Sequence, residues 1–258
     1  MPMVMGTALE LIVCGKEPKD VTSLWDWLCT EAESLQKILN RFDPSSEVSR
    51  VNASASVEGI RISRKLSGII SDSMDYWKRT GCLFDIAKGK MQDVRLESEG
   101  VLTLHGATLD FGGFAKGYLL KGLKEMMELQ EIGSAFVDFG SSSILAVGHH
   151  PFGDCWKVGV KNPFGDNILK EADLCDTAMS TSGNIPGYEG HIVHPLTGVA
   201  AKGKKVATVI CPDPLDAEVL STALIIASEE DKQLLKRNFP NMQYYVFDIQ
   251  PNTKTIAQ

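Results

Sequence analysis

Residues 109–118 read LDFGGFAKGY, and this stretch carries the most information about the fold. A β-rich run, Thr108–Phe111, ends in the pair Gly112–Gly113, and a helix is predicted from Ala115 to Leu129. That helix carries Leu119, Leu123, Met126 and Met127 at helical spacing, with Lys116 in its first turn. Glycines let backbone approach a ligand closely, and a helix start with a lysine beside it suits phosphate oxygens. Asp110 would take a hydroxyl or amine of the same ligand. Lys116 is followed by Gly117 rather than Ser or Thr, so the segment is not a P-loop, and no GxGxxG is present. The same residues also read as a tight strand-to-helix turn with a solvated lysine.

Upstream, residues 7–15 (TALELIVCG) form a predicted strand closed by Gly15. An amphipathic helix follows, with Val21, Leu24, Leu28, Ala32, Leu35, Ile38 and Leu39 on one face and a cap expected at Asp20 or Ser23. A second helix is predicted from Ser63 to Arg79, stopped by Gly81, with Leu66, Ile69, Ile70, Met74 and Trp77 on its apolar face. A short strand is expected at Val101–Leu104. Downstream, Phe136–Asp138, Ile144–Val147, Trp156–Val160, Val206–Cys211 and Tyr244–Phe247 are short and β-rich. Helices and strands come in blocks rather than in βαβ alternation, which predicts an α+β fold. No linker-like composition divides the chain, so residues 1–258 read as one domain.

With 26 Lys+Arg against 33 Asp+Glu, the net charge is −7, and no global field draws the chain to nucleic acid. No apolar run reaches the roughly 18 residues of a transmembrane segment. Residues Met1 to Gly6 lack the features of a secretory leader, which suggests a cytoplasmic protein or one whose leader has been removed and which is exported or membrane-anchored. The six cysteines are scattered without a CxxC pair, and read as free thiols.

Two further segments carry candidate chemistry. HIVHPLTG, residues 191–198, places His191 and His194 three apart on an extended piece, on opposite faces, so joint metal ligation is disfavoured. A single catalytic or ligand-contacting histidine fits, as does an ordinary half-buried one. In PDPLDAEVLSTALIIA, residues 212–227, Asp213–Pro214 is a helix start. Glu218 and Thr222 then stack at i and i+4, an all-oxygen pair suited to a hard cation such as Mg²⁺. A solvated Glu and a core Thr would give the same pattern.

These segments fall in the order found in one family. MGT at 5–7, LNRFDPSSEVSRVN at 39–52, GCLFD at 81–85, LDFGGFAKGY, FVDFGSSSILAVG at 136–148, WKVGVKNP at 156–163, TSG at 181–183, HIVHPLTG and LSTAL at 220–224 together span nearly the whole chain. The sequence resembles the ApbE family of FAD:protein FMN transferases. The resemblance implies an α+β fold with a duplicated, T-fold-like core and a flavin cleft. It also implies Mg²⁺-dependent transfer of FMN from FAD onto a Ser or Thr hydroxyl of an acceptor protein; the alternative is a divergent member that binds FAD or FMN without transfer.

By the same resemblance, Met5, Phe42, Leu83, Phe84, Asp85, Asp110, Lys116 and Ile192 match flavin contacts. Gly113, Glu218, Ser221 and Thr222 match metal ligands, and His191 is the candidate to act on the acceptor hydroxyl. The sequence departs from the family pattern in having Glu218 for an aspartate, His194 for an acidic or amide residue and Lys121 for an acidic one. FGSSS replaces a glycine pair and its following acidic residue, and the stretch between Asp85 and Asp110 is short.

Overall fold

The computed structural model describes residues 3–54, 58–98, 100–187 and 190–249. The chain opens with β1 (Met3–Val4), β2 (Thr7–Val13), α1 (Pro18–Leu39), α2 (Glu47–Ser54), β3 (Ile60–Arg61) and α3 (Arg64–Arg79). β4 (Arg95–Leu96), β5 (Val101–Thr103) and α4 (Ala115–Leu129) follow. The second half holds β6 (Ser134–Phe139), β7 (Ser143–Gly148), β8 (Trp156–Lys161), β9 (Ile168–Leu174), β10 (Thr177–Gly183) and β11 (Lys205–Cys211). It closes with α5 (Pro214–Leu224), α6 (Glu229–Asn238) and β12 (Gln243–Asp248).

A seven-stranded antiparallel sheet, in the order β1-β2-β6-β7-β10-β11-β12, joins the two ends of the chain. Its central strands are buried on both faces, and their residues alternate between two cores. Leu145, Ala178, Val209 and Cys211 face the large core shared with the helices. Ile144, Met179 and Ile210 face a smaller core roofed by the β8–β9 hairpin, with Trp156, Val160 and Leu174. α5 packs on β10 and β11, α4 on α5, and α1 on α4. The α+β expectation holds.

α4 and α5 cross at very close range. A Cβ on Gly117 would lie 2.6 Å from Glu218 Cβ and 2.9 Å from the Pro214 carbonyl oxygen, so only glycine fits there. Asp213 caps α5 by accepting from the Leu215 and Asp216 amides. Its other oxygen, Oδ2, holds Lys121 Nζ of α4 at 2.9 Å. The lysine that departs from the family pattern thus ties the two helices together.

Three local readings need correction. α1 begins at Pro18 with Glu17 as its N-cap and no side-chain cap bond, not at Asp20 or Ser23, because proline presets the first helical φ. Thr108–Phe111 is extended but joins no sheet: the Asn52 amide bonds both the Leu109 N–H (2.8 Å) and its carbonyl (2.9 Å), replacing a neighbouring strand. β9, β10, α2 and α6 were not read from the sequence. β10, TAMSTSG, lacks the run of Val, Ile and aromatic residues that marks a strand in sequence, and is held by β7 and β11 on either side.

Candidate active site

The Asp110–Lys116 turn opens into a cleft of about 1150 Å³, bounded by the Leu83–Asp85 loop, β8, the end of β10 and the His191–Val193 segment. Three cations converge on the turn. Lys88 Nζ lies 2.8 Å and Arg41 Nε 3.1 Å from Asp110 Oδ2, while Asp110 Oδ1 accepts from the Gly112 amide at 3.0 Å. Burial, the largest single influence, pushes the Asp110 carboxyl up. Lys88, the Gly112 amide and Arg41 together outweigh it and hold the group below the usual carboxylate range. Lys116 Nζ donates to Ser142 Oγ across the turn. Asp110 thus holds Lys88 and Arg41 together at the rim of the cleft that it lines.

The floor of the cleft is built from hydroxyls. Glu218 is 5% exposed, and its Oε2 accepts from Ser143 Oγ at 2.7 Å and Ser180 Oγ at 2.9 Å. Ser221 Oγ donates to the Glu218 carbonyl at 3.0 Å and pairs with Ser180 and Ser182 at 3.1 and 2.8 Å. Thr222 Oγ1 lies 3.2 Å from Ser182 Oγ. A Cβ on Gly113 would sit 3.1 Å from Thr222 Oγ1, so the glycine turn approaches the α5 hydroxyl as closely as backbone allows. Two hydroxyls on Oε2 leave lone-pair capacity on Oε1. Carboxylate, hydroxyl and main-chain oxygens are hard donors, and this set fits Mg²⁺.

A model of the ApbE family matches residues 5–99 and 88–246. The chain belongs to the ApbE family. A FAD:protein FMN transferase of Treponema pallidum (strain Nichols) is 23% identical, the match covering 93% of this chain and 81% of that one. The FAD:protein FMN transferase of Escherichia coli (strain K12) is 22% identical over 90% of this chain and 79% of its own. Among solved structures, an ApbE protein from Thermotoga maritima has a TM-score of 0.79 at 21% identity, covering 95% of this chain and 92% of its own. The flavin transferase ApbE of Vibrio cholerae gives 0.78 at 18% identity, with 94% of each chain covered.

Within this ApbE fold, Phe42, Leu83, Phe84, Asp85, Asp110, Gly113, Lys116, His191, Ile192, Glu218 and Thr222 all line the cleft. Three expected residues behave differently. Met5 is not part of the lining; it packs on the large core with a positive φ of 49°. Ser221 is fully buried beneath the floor and not part of the lining. Asp85 lines the cleft, but its carboxylate accepts from the Ala87 (2.6 Å), Gly89 (2.8 Å) and Met91 (3.4 Å) amides of its own loop. Burial exceeds the effect of those amides and holds its carboxyl above the usual range.

Phe42 is 78% exposed at the rim, with the Arg41 guanidinium 4.3 Å from its ring centroid. His191 is exposed on the cleft wall, whereas His194 is not part of the lining and its Nδ1 accepts from Leu196 N within its own turn. Sequence reasoning missed Lys88, Arg41, Ser143 and Ser180. The pair Ser142–Ser143 lay in a quoted motif, but nothing local points either hydroxyl at a carboxylate 75 residues away.

Proposed function

We propose that this chain binds FAD in the cleft and transfers its FMN moiety to a Ser or Thr hydroxyl of an acceptor protein, with Mg²⁺ and with release of AMP. The observation that carries the reading is the meeting of the Gly113 turn with Glu218 and Thr222 beneath a rim of Lys88, Arg41 and Lys116. A diphosphate needs both cationic charge and hard oxygen donors nearby.

Lys116 would bind a phosphate oxygen, exchanging the hydrogen bond it donates to Ser142 for one to the ligand. Phe42, Leu83, Phe84 and Ile192 supply aromatic and apolar surface for the flavin ring. Glu218, Thr222 and the Gly113 carbonyl would hold Mg²⁺, which supplies Lewis-acid charge to the diphosphate when bound. Glu218 replaces the family's aspartate with one more methylene, and Ser143 and Ser180 draw that longer carboxylate against the sheet. His191 would take the acceptor hydroxyl's proton as its oxygen forms the new bond to the FMN phosphorus; the bond from that phosphorus to the oxygen of AMP breaks, and AMP leaves. The packing of both halves of the chain on one core supports a single domain.

The test is incubation with FAD, Mg²⁺ and a flavoprotein acceptor domain, followed by intact mass. The expected result is an acceptor heavier by one FMN residue, with AMP in solution. Bound flavin with no acceptor mass change would replace the reading with a flavin-binding, non-transferring one.

A further inference from the structure

The β8–β9 hairpin forms one wall of the cleft, and its open end carries two thiols that the flavin chemistry does not use. The ladder runs from Lys161↔Ile168 near the turn to Trp156↔Leu174 at the base. Cys155 and Cys175 are the next residues on each strand, so the register makes them opposite neighbours on one face. Directly opposed residues in an antiparallel pair have Cα atoms about 4.5–5.5 Å apart, within the span a disulfide bridges without backbone movement. Both residues are half-buried and free, and the Cys155 thiol is near enough to help raise the Cys175 pKa.

A third group sits on the pair. His149 Nδ1 is 3.3 Å from Cys175 Sγ and also meets the Asp154 carbonyl oxygen. A carbonyl oxygen only accepts, so Nδ1 carries the hydrogen and shares it with the sulfur. A thiolate at Cys175 is stabilised by that N–H, as reactive thiolates are by neighbouring donors.

We propose that Cys155 and Cys175 form a reversible disulfide by exchange with a small-molecule disulfide of the glutathione class, with Cys175 attacking first. The Cys175 thiolate attacks one sulfur of the oxidant, RSSR, forming a Cys175–SR bond and expelling RS⁻. The Cys155 thiolate then attacks Cys175 Sγ, closing Cys155–Cys175 and expelling the second RS⁻. The two cysteine protons end on the two RSH; the protein dithiol is oxidised and RSSR reduced. Burial first, and then Cys155 and Asp176, hold the Cys175 thiol above its ordinary range, so exchange runs through a small thiolate fraction, which the His149 N–H favours. The bridge would close the base of the hairpin that carries Lys157 and Lys161 on the cleft wall.

The full-length protein is incubated with glutathione disulfide, quenched by alkylation and mapped by peptide mass spectrometry. The expected product is a Cys155–Cys175 cross-linked peptide, lost on adding dithiothreitol, with a thermal midpoint higher by roughly 5–10 °C for a loop of this size. Cys155→Ser should trap a glutathione adduct on Cys175, and His149→Ala should slow oxidation several-fold without changing which cysteines link. Glutathione adducts that never resolve, links to other cysteines, or equal rates in His149→Ala would overturn the proposal. None of these variants touches the cleft's metal or flavin residues, so a failure here leaves the transferase reading standing, and the reverse holds.

Discussion

The rim and the floor of the cleft are built on opposite electrostatic plans. At the rim, Asp110 is shared by two cations that are themselves well exposed, with Arg41 38% and Lys88 48% exposed at the side chain. On the floor, one buried carboxylate accepts from neutral hydroxyls of β7 and β10, and no salt bridge reaches it among the described residues. A rim of mobile charge in high dielectric attracts an anion while costing little to rearrange. Neutral hydroxyls bring no positive charge to the Glu218 carboxyl, and a divalent cation bound beside it would supply that charge. On the proposed function, diphosphate capture falls to the rim and cation placement to the floor.

Breaking the floor should have the largest effect. Glu218→Gln keeps the shape and both serine partners but removes the charge, so Mg²⁺ should no longer tighten FAD binding, and transfer should fall by about 10²-fold or more. Isothermal titration with and without Mg²⁺ reads this directly; an unchanged metal dependence would remove Glu218 from the site. Glu218→Asp sharpens the point. Shortened by one methylene, the carboxylate withdraws from Ser143 and Ser180, and weaker metal use would show that the serines fit the longer side chain.

At the rim, Lys116→Ala should weaken FAD binding by about 1.5–3 kcal/mol if the ammonium meets a phosphate, the scale of a hydrogen bond to a charged group. Flavin fluorescence titration measures it, and the loss should shrink as salt is added. An effect that ignores ionic strength would argue that Lys116 acts only through Ser142.

Gly117→Ala tests the frame joining the two regions. The added methyl meets Glu218 Cβ at 2.6 Å, so the α4–α5 contact must open, costing about 1–3 kcal/mol in denaturant unfolding. A stabilised variant, as helix propensity alone would give, contradicts the close crossing.

The smallest change comes from Lys88→Ala, at most about 1 kcal/mol because the pair is half-exposed. Its size depends on pH. The Asp110 carboxyl is depressed in the folded state, so its stabilising share is present above the unfolded value near 4 and is lost as pH falls through the folded value. The variant should therefore differ from the parent at neutral pH and converge with it in strong acid, which acid-unfolding curves would resolve. Divergence growing toward low pH would contradict the assignment.

The linear pattern determined the elements whose signals are local. The apolar faces of α1, α3 and α4, the Gly81 stop after α3 and the Asp213–Pro214 start of α5 all follow from spacing within a few residues. So did the i, i+4 stacking of Glu218 and Thr222, and the order of motifs that marked the family. What the sequence could not carry is contact at long range. Arg41 and Lys88 reach Asp110 from separate loops, and Ser143 and Ser180 reach Glu218 across 75 and 38 residues. Their convergence depends on the register of β7 and β10 beneath α5, and a one-residue slip would turn each hydroxyl to the opposite face. β10 itself shows the same division, because its small polar residues become a strand only between two neighbours that satisfy its backbone. Local periodicity determined the bodies of α1, α3 and α4, and the sheet register, a property of the folded chain alone, decided which oxygens meet.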